Sequence, residues 1–207
     1  MTHTIVCVSD THSSHDNLKV PGGNILLHAG DLTTQGNLSQ IERVNAFWGS
    51  QPHKHKIFIA GNHDRELQCS PELSHPLLKD VTYIENQLID VEGLRIYGSP
   101  LMVHASHRAF CVSDEERKRR WSEVPDELDI LLTHCPPFGI LDENGAGVSI
   151  GCPFLLERVM QIKPRLHVFG HVHEGNGRVD REGISFINAA IGSGYTRPRG
   201  PAHTIIL

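Results

Sequence analysis

Five short apolar segments of this sequence end in Asp, His or Asn, and this recurrence constrains the fold more than any other feature. The segments are typical of buried strands. The polar residues that follow them are, in chain order, Asp10 and His12, Asp31, Asn62 and His63, His134, and His171 and His173. Open α/β folds bind ligands outside the carboxyl ends of their strands. The pattern therefore predicts a sheet whose strand ends bring these side chains to one site.

The segments between these polar residues favour an α/β fold. The run 4–8 predicts a strand, Ser39-Gln40-Ile41-Glu42 is typical of a capping box that opens a helix, and 57–60 predicts another strand. This strand–helix–strand order favours a parallel sheet with crossover helices. Short apolar runs on either side of Glu92-Gly93 predict a hairpin. The hairpin indicates antiparallel strands and a second sheet.

Two other segments carry weaker signals. Pro71 and Pro76 favour irregular structure between Leu67 and Asp80. Three acidic residues, 114–116, stand four positions before three of the basic residues in 117–120. Charges of opposite sign at this spacing stabilise a helix, so the basic cluster predicts an exposed helix face rather than a nucleic-acid surface.

Charge and composition exclude several classes of partner. The formal net charge is −5, so no broad basic footprint for extended nucleic acid exists. No apolar run approaches the roughly 18 residues that span a bilayer, and no signal peptide is recognisable at the N-terminus. The five cysteines are scattered and form no Cys-x-x-Cys pair, which favours reduced thiols in the cytoplasm. With 207 residues and no evident linker, we expect one domain over 1–207.

Histidine is over-represented, with 15 in the chain, and it is the commonest metal ligand. Side chains at i and i+2 of an extended backbone point the same way, so Asp10 with His12, and His171 with His173, each predict a pair of ligands. With Asp31, Asn62 and His134, the candidates exceed the three or four protein ligands of one ion. Two divalent ions bridged by a carboxylate fit better, as in phosphate ester hydrolysis. Imidazole and carboxylate without thiolate favour Mn²⁺, with Fe, Zn²⁺ or Co²⁺ as alternatives.

Five ordered motifs resemble those of the calcineurin-like metallophosphoesterase superfamily. They are Asp10-x-His12, Gly30-Asp31, Gly61-Asn62-His63-Asp64, Thr133-His134 and Gly170-His171-Val172-His173. Further stretches, such as Tyr97-Gly98-Ser99-Pro100 and Thr133-His134-Cys135-Pro136-Pro137, resemble the brain-type metallophosphoesterase-domain proteins. The resemblance covers almost the whole chain. It departs at Leu101 to His107, where those relatives have a loop containing Trp.

The resemblance implies a four-layer α/β/β/α sandwich, in which two mixed β-sheets lie face to face between helices. It also implies ligand sets. Asp10, His12 and His173 would hold one metal, and Asn62, His134 and His171 the other. Asp31 would bridge the two. Some relatives carry Gly at the position of His171, so the histidine here predicts a complete pair of sites.

The expected activity is hydrolysis of a phosphate ester by a hydroxide that bridges the two metals. His63 belongs to neither ligand set, and we expect it to protonate the leaving oxygen, with Asp64 orienting it. The resemblance favours a phosphodiesterase acting on small nucleotides, cyclic ones included. The alternatives are a protein or small-molecule phosphomonoesterase, and an inactive, metal-stabilised interaction module.

Other polar residues receive plainer interpretations. Cys135 follows a candidate ligand, but an unactivated thiol is weakly ionised at neutral pH, so we expect it to be packed in the core. His28 lies within an apolar strand and predicts a hydrogen-bonded core histidine. Arg65, His104 and His107 are candidate substrate contacts because loops beside a site often carry them.

Overall fold

Two mixed β-sheets form the centre of the molecule, as predicted. The computed structural model describes residues 2–103, 108–192 and 200–207. The strands are β1 (Thr4–Val8), β2 (Ile25–Ala29), β3 (His55–Ile59), β4 (Thr82–Tyr83), β5 (Gln87–Val91), β6 (Leu94–Ser99), β7 (Ile130–Thr133), β8 (Leu166–Phe169), β9 (Gly177–Arg181), β10 (Ile184–Asn188) and β11 (His203–Ile206). Their order is β11-β1-β2-β3-β4 in one sheet and β5-β6-β7-β8-β10-β9 in the other.

Parallel pairing dominates the interior of both sheets. Strands β1 to β4 pair in parallel, and β11 adds an antiparallel edge to β1. Strands β6, β7, β8 and β10 also pair in parallel, and β5 and β9 add antiparallel edges. The carboxyl ends of the parallel strands in each sheet therefore lie at one edge of that sheet.

The helices lie in the connections between strands. They are α1 (Leu38–Gly49), α2 (Arg65–Cys69), α3 (Pro71–Ser74), α4 (Asp114–Ser122) and α5 (Pro153–Ile162), with 3-10 helices at His15–Asn17, His75–Leu77 and His173–Gly175. Within the described residues, none of these helices is long and apolar enough to cross a bilayer.

Three apolar clusters separate four layers, which confirms the predicted sandwich. The central cluster joins the two sheets through residues such as Leu27 and Leu132. A second cluster packs Trp48 of α1 on the outer face of the five-stranded sheet. A third packs Trp121 of α4 and Leu155 of α5 on the six-stranded sheet. Both faces of each sheet are covered, which explains why the strands read as continuous apolar runs.

The start of α1 differs from the prediction. Asn37, not Ser39, caps the helix, because its side-chain oxygen accepts a hydrogen bond from the amide of Gln40 at 3.0 Å. Ser39 lies inside the first turn and donates to the Asn37 side chain. The segment predicted to be irregular contains the short helices α2 and α3, with Pro71 at a helix start, where its missing N–H costs nothing.

The basic cluster on α4 is only partly an exposed face. Glu116 pairs with Arg119 at 2.8 Å and with Arg120 at 2.6 Å, as expected of a solvated helix surface. Arg117 is different: it is 4% exposed, and its guanidinium donates to the carbonyl oxygen of Val112. Its side chain therefore helps to anchor the segment that precedes α4.

Two buried histidines have matching environments in the two sheets. His28 of β2 lies 3.0 Å from Thr11 Oγ1, and His167 of β8 lies 2.9 Å from Thr133 Oγ1. Both are completely buried against aromatic rings, which confirms the prediction for His28. Burial lowers the pKa of each ring to about 3. Both histidines are therefore neutral in the folded protein.

The pKa of His28 and His167 differs between the folded protein and the unfolded chain, and this difference predicts a loss of stability in weak acid. An unfolded histidine has a pKa near 6.5, so below that pH the unfolded chain takes up protons that folded His28 and His167 do not. The free energy of unfolding should be unaffected by these groups above pH 6.5. It should fall by up to about 1.4 kcal/mol per pH unit for each histidine between there and pH 3. Urea unfolding of chelator-treated protein at several pH values measures how steeply the free energy of unfolding falls with pH. His167→Gln should reduce this slope, and an unchanged slope would contradict the assignment.

Candidate metal centre

The candidate ligands predicted from the sequence lie together at the carboxyl ends of β1, β2, β3, β7 and β8. Asp10, His12 and His173 form the first group, whose ligand atoms all lie within 4.8 Å of one another. His173 Nε2 is 3.3 Å from Asp10 Oδ1, and 3.2 Å from His12 Nε2. These separations match those between neighbouring ligands of a single transition-metal ion.

Asp31, His134 and His171 form a second group of the same kind. His134 Nε2 lies 3.3 Å from Asp31 Oδ1 and 3.2 Å from Asn62 Oδ1. The rings of His134 and His171 are 5.4 Å apart between centroids. The set that the sequence suggested for a second metal is therefore brought together by the fold.

Asp31 lies between the two groups. Its Oδ1 faces His134, while its Oδ2 lies 3.7 Å from His12 Nε2 in the first group. Burial alone raises the pKa of Asp31, but the charge and hydrogen bond of His134 outweigh burial and hold that pKa far below its usual range. One ionised carboxylate thus presents an oxygen to each group, which is the arrangement of a bridging ligand.

Backbone carbonyls set the orientation of two ligand histidines. His134 Nδ1 lies 2.8 Å from the carbonyl oxygen of Ala29, and His12 Nδ1 lies 3.3 Å from that of Thr33. A carbonyl oxygen only accepts, so Nδ1 keeps its proton in each ring, and a proton on Nε2 is the one that a metal ion would displace. The lone pair is then on Nε2, the atom that faces the carboxylates, as in the outer shell of known metal sites.

The residues fit a pair of divalent cations. Asp10 is completely buried, and its Oδ1 has no hydrogen-bond partner within the described residues. Its Oδ2 accepts from the amide of His171 at 2.9 Å, so a single oxygen is left free. A buried carboxylate oxygen without a hydrogen-bond donor is costly unless a positive charge pairs with it, either a metal ion or a protonated His173. Imidazole, carboxylate and amide donors suit Mn²⁺, Fe, Co²⁺ and Zn²⁺.

The backbone at several candidate ligands is not extended, although the prediction from the sequence assumed that it is. Asp10, His12, Asp31 and His171 have φ angles of 56°, 43°, 53° and 70°. The explanation that i and i+2 side chains point the same way is therefore wrong, although Asp10 and His12 do meet, while His171 and His173 join different ligand groups. Left-handed residues in the turns after β1, β2 and β8 aim the side chains there instead, a conformation that costs energy for residues other than Gly and clusters at functional sites.

Two glycines allow the turns to approach closely. A Cβ atom at Gly61 would overlap the backbone amide and carboxylate of Asp31, and one at Gly170 would overlap Ser9 and the carboxylate of Asp10. Any larger residue at either position would displace a candidate ligand.

His63 lies at the edge of the centre. One of its ring nitrogens is within 4.8 Å of the ligand atoms of His12 and Asp31, and its ring packs edge-on against that of His12. Its Nδ1 lies 2.8 Å from the carbonyl oxygen of Thr34, so Nδ1 donates and Nε2 is the free nitrogen. Nε2 contacts the guanidinium of Arg108.

The prediction that Asp64 orients His63 is wrong. The buried carboxylate of Asp64 accepts hydrogen bonds from the amides of Gly61, Leu32 and Thr33 and from the Thr33 hydroxyl, at 2.7–3.0 Å. The turn after β3 directs Asp64 back towards the end of β2, away from the imidazole. Its role is to tie together the loops that carry Asp31 and Asn62.

Removing this carboxylate should destabilise the fold. Asp64→Asn would place an NH₂ group against backbone N–H donors, so we expect a loss of about 3–5 kcal/mol in the free energy of unfolding. Urea unfolding measures it. The matched control is Asp90→Asn, in which an exposed carboxylate loses one hydrogen bond from the amide of Gly93. A loss no larger than that of the control would contradict the assigned role.

The structure also shows where the other polar residues considered in the sequence lie. Cys135 is completely buried, and burial raises its pKa well above the ordinary value, which confirms a packed thiol. Arg65 begins α2 and is exposed. His104 and His107 lie outside the described residues. Arg108 was missed by the sequence argument, since nothing in the pattern places it against His63, 45 positions earlier.

Comparison with known proteins decides the family. A family model described as calcineurin-like phosphoesterase matches residues 3–175. The chain belongs to this family. The resemblance noted in the sequence is thereby confirmed. Calcineurin-like phosphoesterases are metal-dependent, in agreement with the ligand groups, and membership supports hydrolysis of phosphate esters.

Relatives and solved structures agree with this placement. Metallophosphoesterase domain-containing protein 1 of Homo sapiens is 36% identical over an alignment that covers 98% of this chain and 70% of the relative. A UPF0046 protein of Caenorhabditis elegans is 37% identical, with coverage of 90% and 74%. A crystal structure from Thermus thermophilus superposes with a TM-score of 0.65 at 12% identity, covering 91% of this chain and 89% of that one. This last likeness concerns the fold alone.

Proposed function

We propose that the protein is a phosphoesterase that depends on two divalent metal ions, with Mn²⁺ favoured. The observation that carries the proposal is the pair of ligand groups on either side of Asp31, whose two oxygens face His12 and His134. Asp10, His12 and His173 would hold one ion, and Asn62, His134 and His171 the other. When bound, such a pair supplies Lewis acidity, activating water and neutralising charge on phosphoryl oxygens.

The residues around this pair have separate roles in the proposal. Hydrogen bonds from Nδ1 to backbone carbonyls orient His12 and His134, so that their Nε2 atoms face the other candidate ligands. Asp10 and Asp31 stay ionised, because the neighbouring His173 and His134 lower their pKa values despite burial. The carboxylates are therefore charged at neutral pH, as metal ligands need to be.

His63 is the proposed general acid. With Nδ1 donating to the carbonyl of Thr34, a second proton on the ring is carried by Nε2. That nitrogen contacts Arg108, and it would reach a leaving oxygen beside the ligand groups once the guanidinium turns to the substrate. Proton donation contributes about 10²–10⁴-fold, and it matters most when the leaving group is a poor one such as a sugar alkoxide.

The substrate class we propose is a phosphodiester of a small nucleotide, cyclic nucleotides included. Support comes from the resemblance of the motifs and from the imidazole of His63 at the edge of the ligand groups, where it could serve a poor leaving group. The proposal also includes one domain over residues 1–207, supported by the core shared between the sheets, and a cytoplasmic location, supported by five free cysteines. Small phosphate esters, not extended nucleic acid or membranes, are the proposed partners.

The test compares three substrates with Mn²⁺-loaded protein: bis-nitrophenyl phosphate, nitrophenyl phosphate and a phosphopeptide. We expect kcat/KM for the diester to exceed the others by at least about tenfold, or about 1.4 kcal/mol in activation free energy. A preference for either monoester would contradict the diesterase assignment. Turnover of none of the three, with thermal stabilisation by metal, would indicate an interaction module instead.

A further inference from the structure

Arg108 is held against the loop that carries Asn62 and His63. The amide of Ala109 donates to the carbonyl oxygen of Asn62 at 3.3 Å, and the amide of Phe110 donates to the side chain of Gln68 at 2.9 Å. Ala109 and Phe110 are buried in the cluster beneath α1. The backbone that presents Arg108 is therefore fixed relative to the candidate metal centre by the residues that follow it.

The guanidinium of Arg108 is a positive charge that has no carboxylate partner among the described residues. It is exposed, and its Nη1 contacts His63 Nε2. Within residues 2–103, 108–192 and 200–207 no carboxylate pairs with it, and the segments 104–107 and 193–199 contain no Asp or Glu. The carboxylates of the centre, Asp10 and Asp31, face histidines instead.

We propose that Arg108 binds the phosphate group of the substrate, donating to its non-bridging oxygens. The inference rests on the proposed phosphoesterase function and adds a binding residue to it. Arg108 touches the same nitrogen that would meet the leaving oxygen, so its guanidinium lies beside the position of the scissile phosphate. A guanidinium fork matches phosphate oxygens in charge and geometry, and such charge-assisted bonds are stronger than one to a neutral imidazole.

The alternative is that Arg108 only positions His63. The two roles predict different kinetics. A phosphate-binding arginine contributes to every phosphate ester and to inorganic phosphate, whatever the leaving group. An arginine that acts only through His63 contributes according to how much the leaving group needs a proton.

The test uses Mn²⁺-loaded protein and the variants Arg108→Ala and Arg108→Lys. Isothermal titration with inorganic phosphate should show about 10- to 100-fold weaker binding for Arg108→Ala, and partial recovery for Arg108→Lys. The kcat/KM values for bis-nitrophenyl phosphate and for a nucleotide diester, whose leaving groups differ in their need for a proton, should fall by similar factors, with metal content unchanged. Arg181→Ala is the matched control. Arg181 is exposed and ends β9, where it is the strand-register partner of Ile184 at the amino end of β10, away from the candidate metal centre. It should behave as the wild type.

Phosphate affinity equal to that of the wild type in Arg108→Ala would overturn the inference, as would a kinetic loss confined to esters with poor leaving groups. The titration does not depend on turnover, so the two proposals fail separately. Weaker phosphate binding by Arg108→Ala in a protein that hydrolyses no ester would support the role of Arg108 and contradict the phosphoesterase function.

Discussion

Asp31→Asn is expected to lower kcat by at least about 10³-fold and to reduce the bound metal below that of the wild type. Asp31 is the candidate ligand whose two oxygens face both groups, His12 on one side and His134 on the other. An amide has nearly the same shape but lacks the charge, and its nitrogen cannot coordinate in place of the second oxygen. Both ions should therefore bind more weakly. Metal content by elemental analysis and hydrolysis of bis-nitrophenyl phosphate measure the two effects.

A buried aspartate outside the centre provides the control for Asp31→Asn. Asp142 is 1% exposed and accepts hydrogen bonds from the amides of Gly139 and Gly151, both at 2.9 Å. Asp142→Asn should lower stability without changing the number of ions per chain. If Asp31→Asn retained full metal content and wild-type kcat, Asp31 would not be a bridging ligand.

His63→Ala should impair hydrolysis in proportion to how poor the leaving group is. For a nucleotide diester we expect a loss of about 10²–10⁴-fold, and a much smaller loss for bis-nitrophenyl phosphate, whose leaving group departs without a proton. Metal content should be unchanged, because the candidate ligand groups are complete without His63. Parallel kinetics on the two esters, with elemental analysis of the same samples, provide the test.

Two outcomes would contradict this role for His63. Equal losses on both esters would exclude a general acid. Loss of a metal ion in His63→Ala would instead make His63 a ligand, an arrangement that its proximity to His12 and Asp31 permits. His75→Ala is a suitable control, since the ring of His75 bonds to the carbonyl of Leu67 at 3.0 Å, away from the ligand groups.

The grouping of the ligand residues was predictable because it follows from topology. Continuous apolar runs indicate strands buried on both faces, and parallel pairing brings their carboxyl ends together whatever the details of each turn. Asp10 and His134 stand 124 positions apart by number, yet both follow central strands of their sheets. Local sequence was sufficient to place them at one site.

Roles that depend on the exact path of a turn were not predictable. The positive φ angles at Asp10 and His171 have no signature in the sequence, since neither residue is Gly. Asp64 follows His63 directly, but the turn sends its carboxylate to the amides of Leu32 and Thr33. Adjacency in sequence therefore suggested a contact that the backbone does not make.

Contacts between distant segments could also not be predicted from local sequence patterns. Arg108 reaches His63 only because Ala109 and Phe110 are fixed by partners from the segment after β3. In α1, both Asn37 and Ser39 are suitable caps by residue type. Only the structure shows that Asn37 accepts the bond from Gln40.

The most direct test of a two-metal phosphoesterase is a Mn²⁺ titration of chelator-treated protein, with bound metal and hydrolysis of bis-nitrophenyl phosphate measured on the same samples. Two complete ligand groups that share Asp31 predict that binding saturates at about two ions per chain, and that turnover rises with the second ion. Full turnover with one ion per chain, or no turnover with two ions bound, would contradict the account.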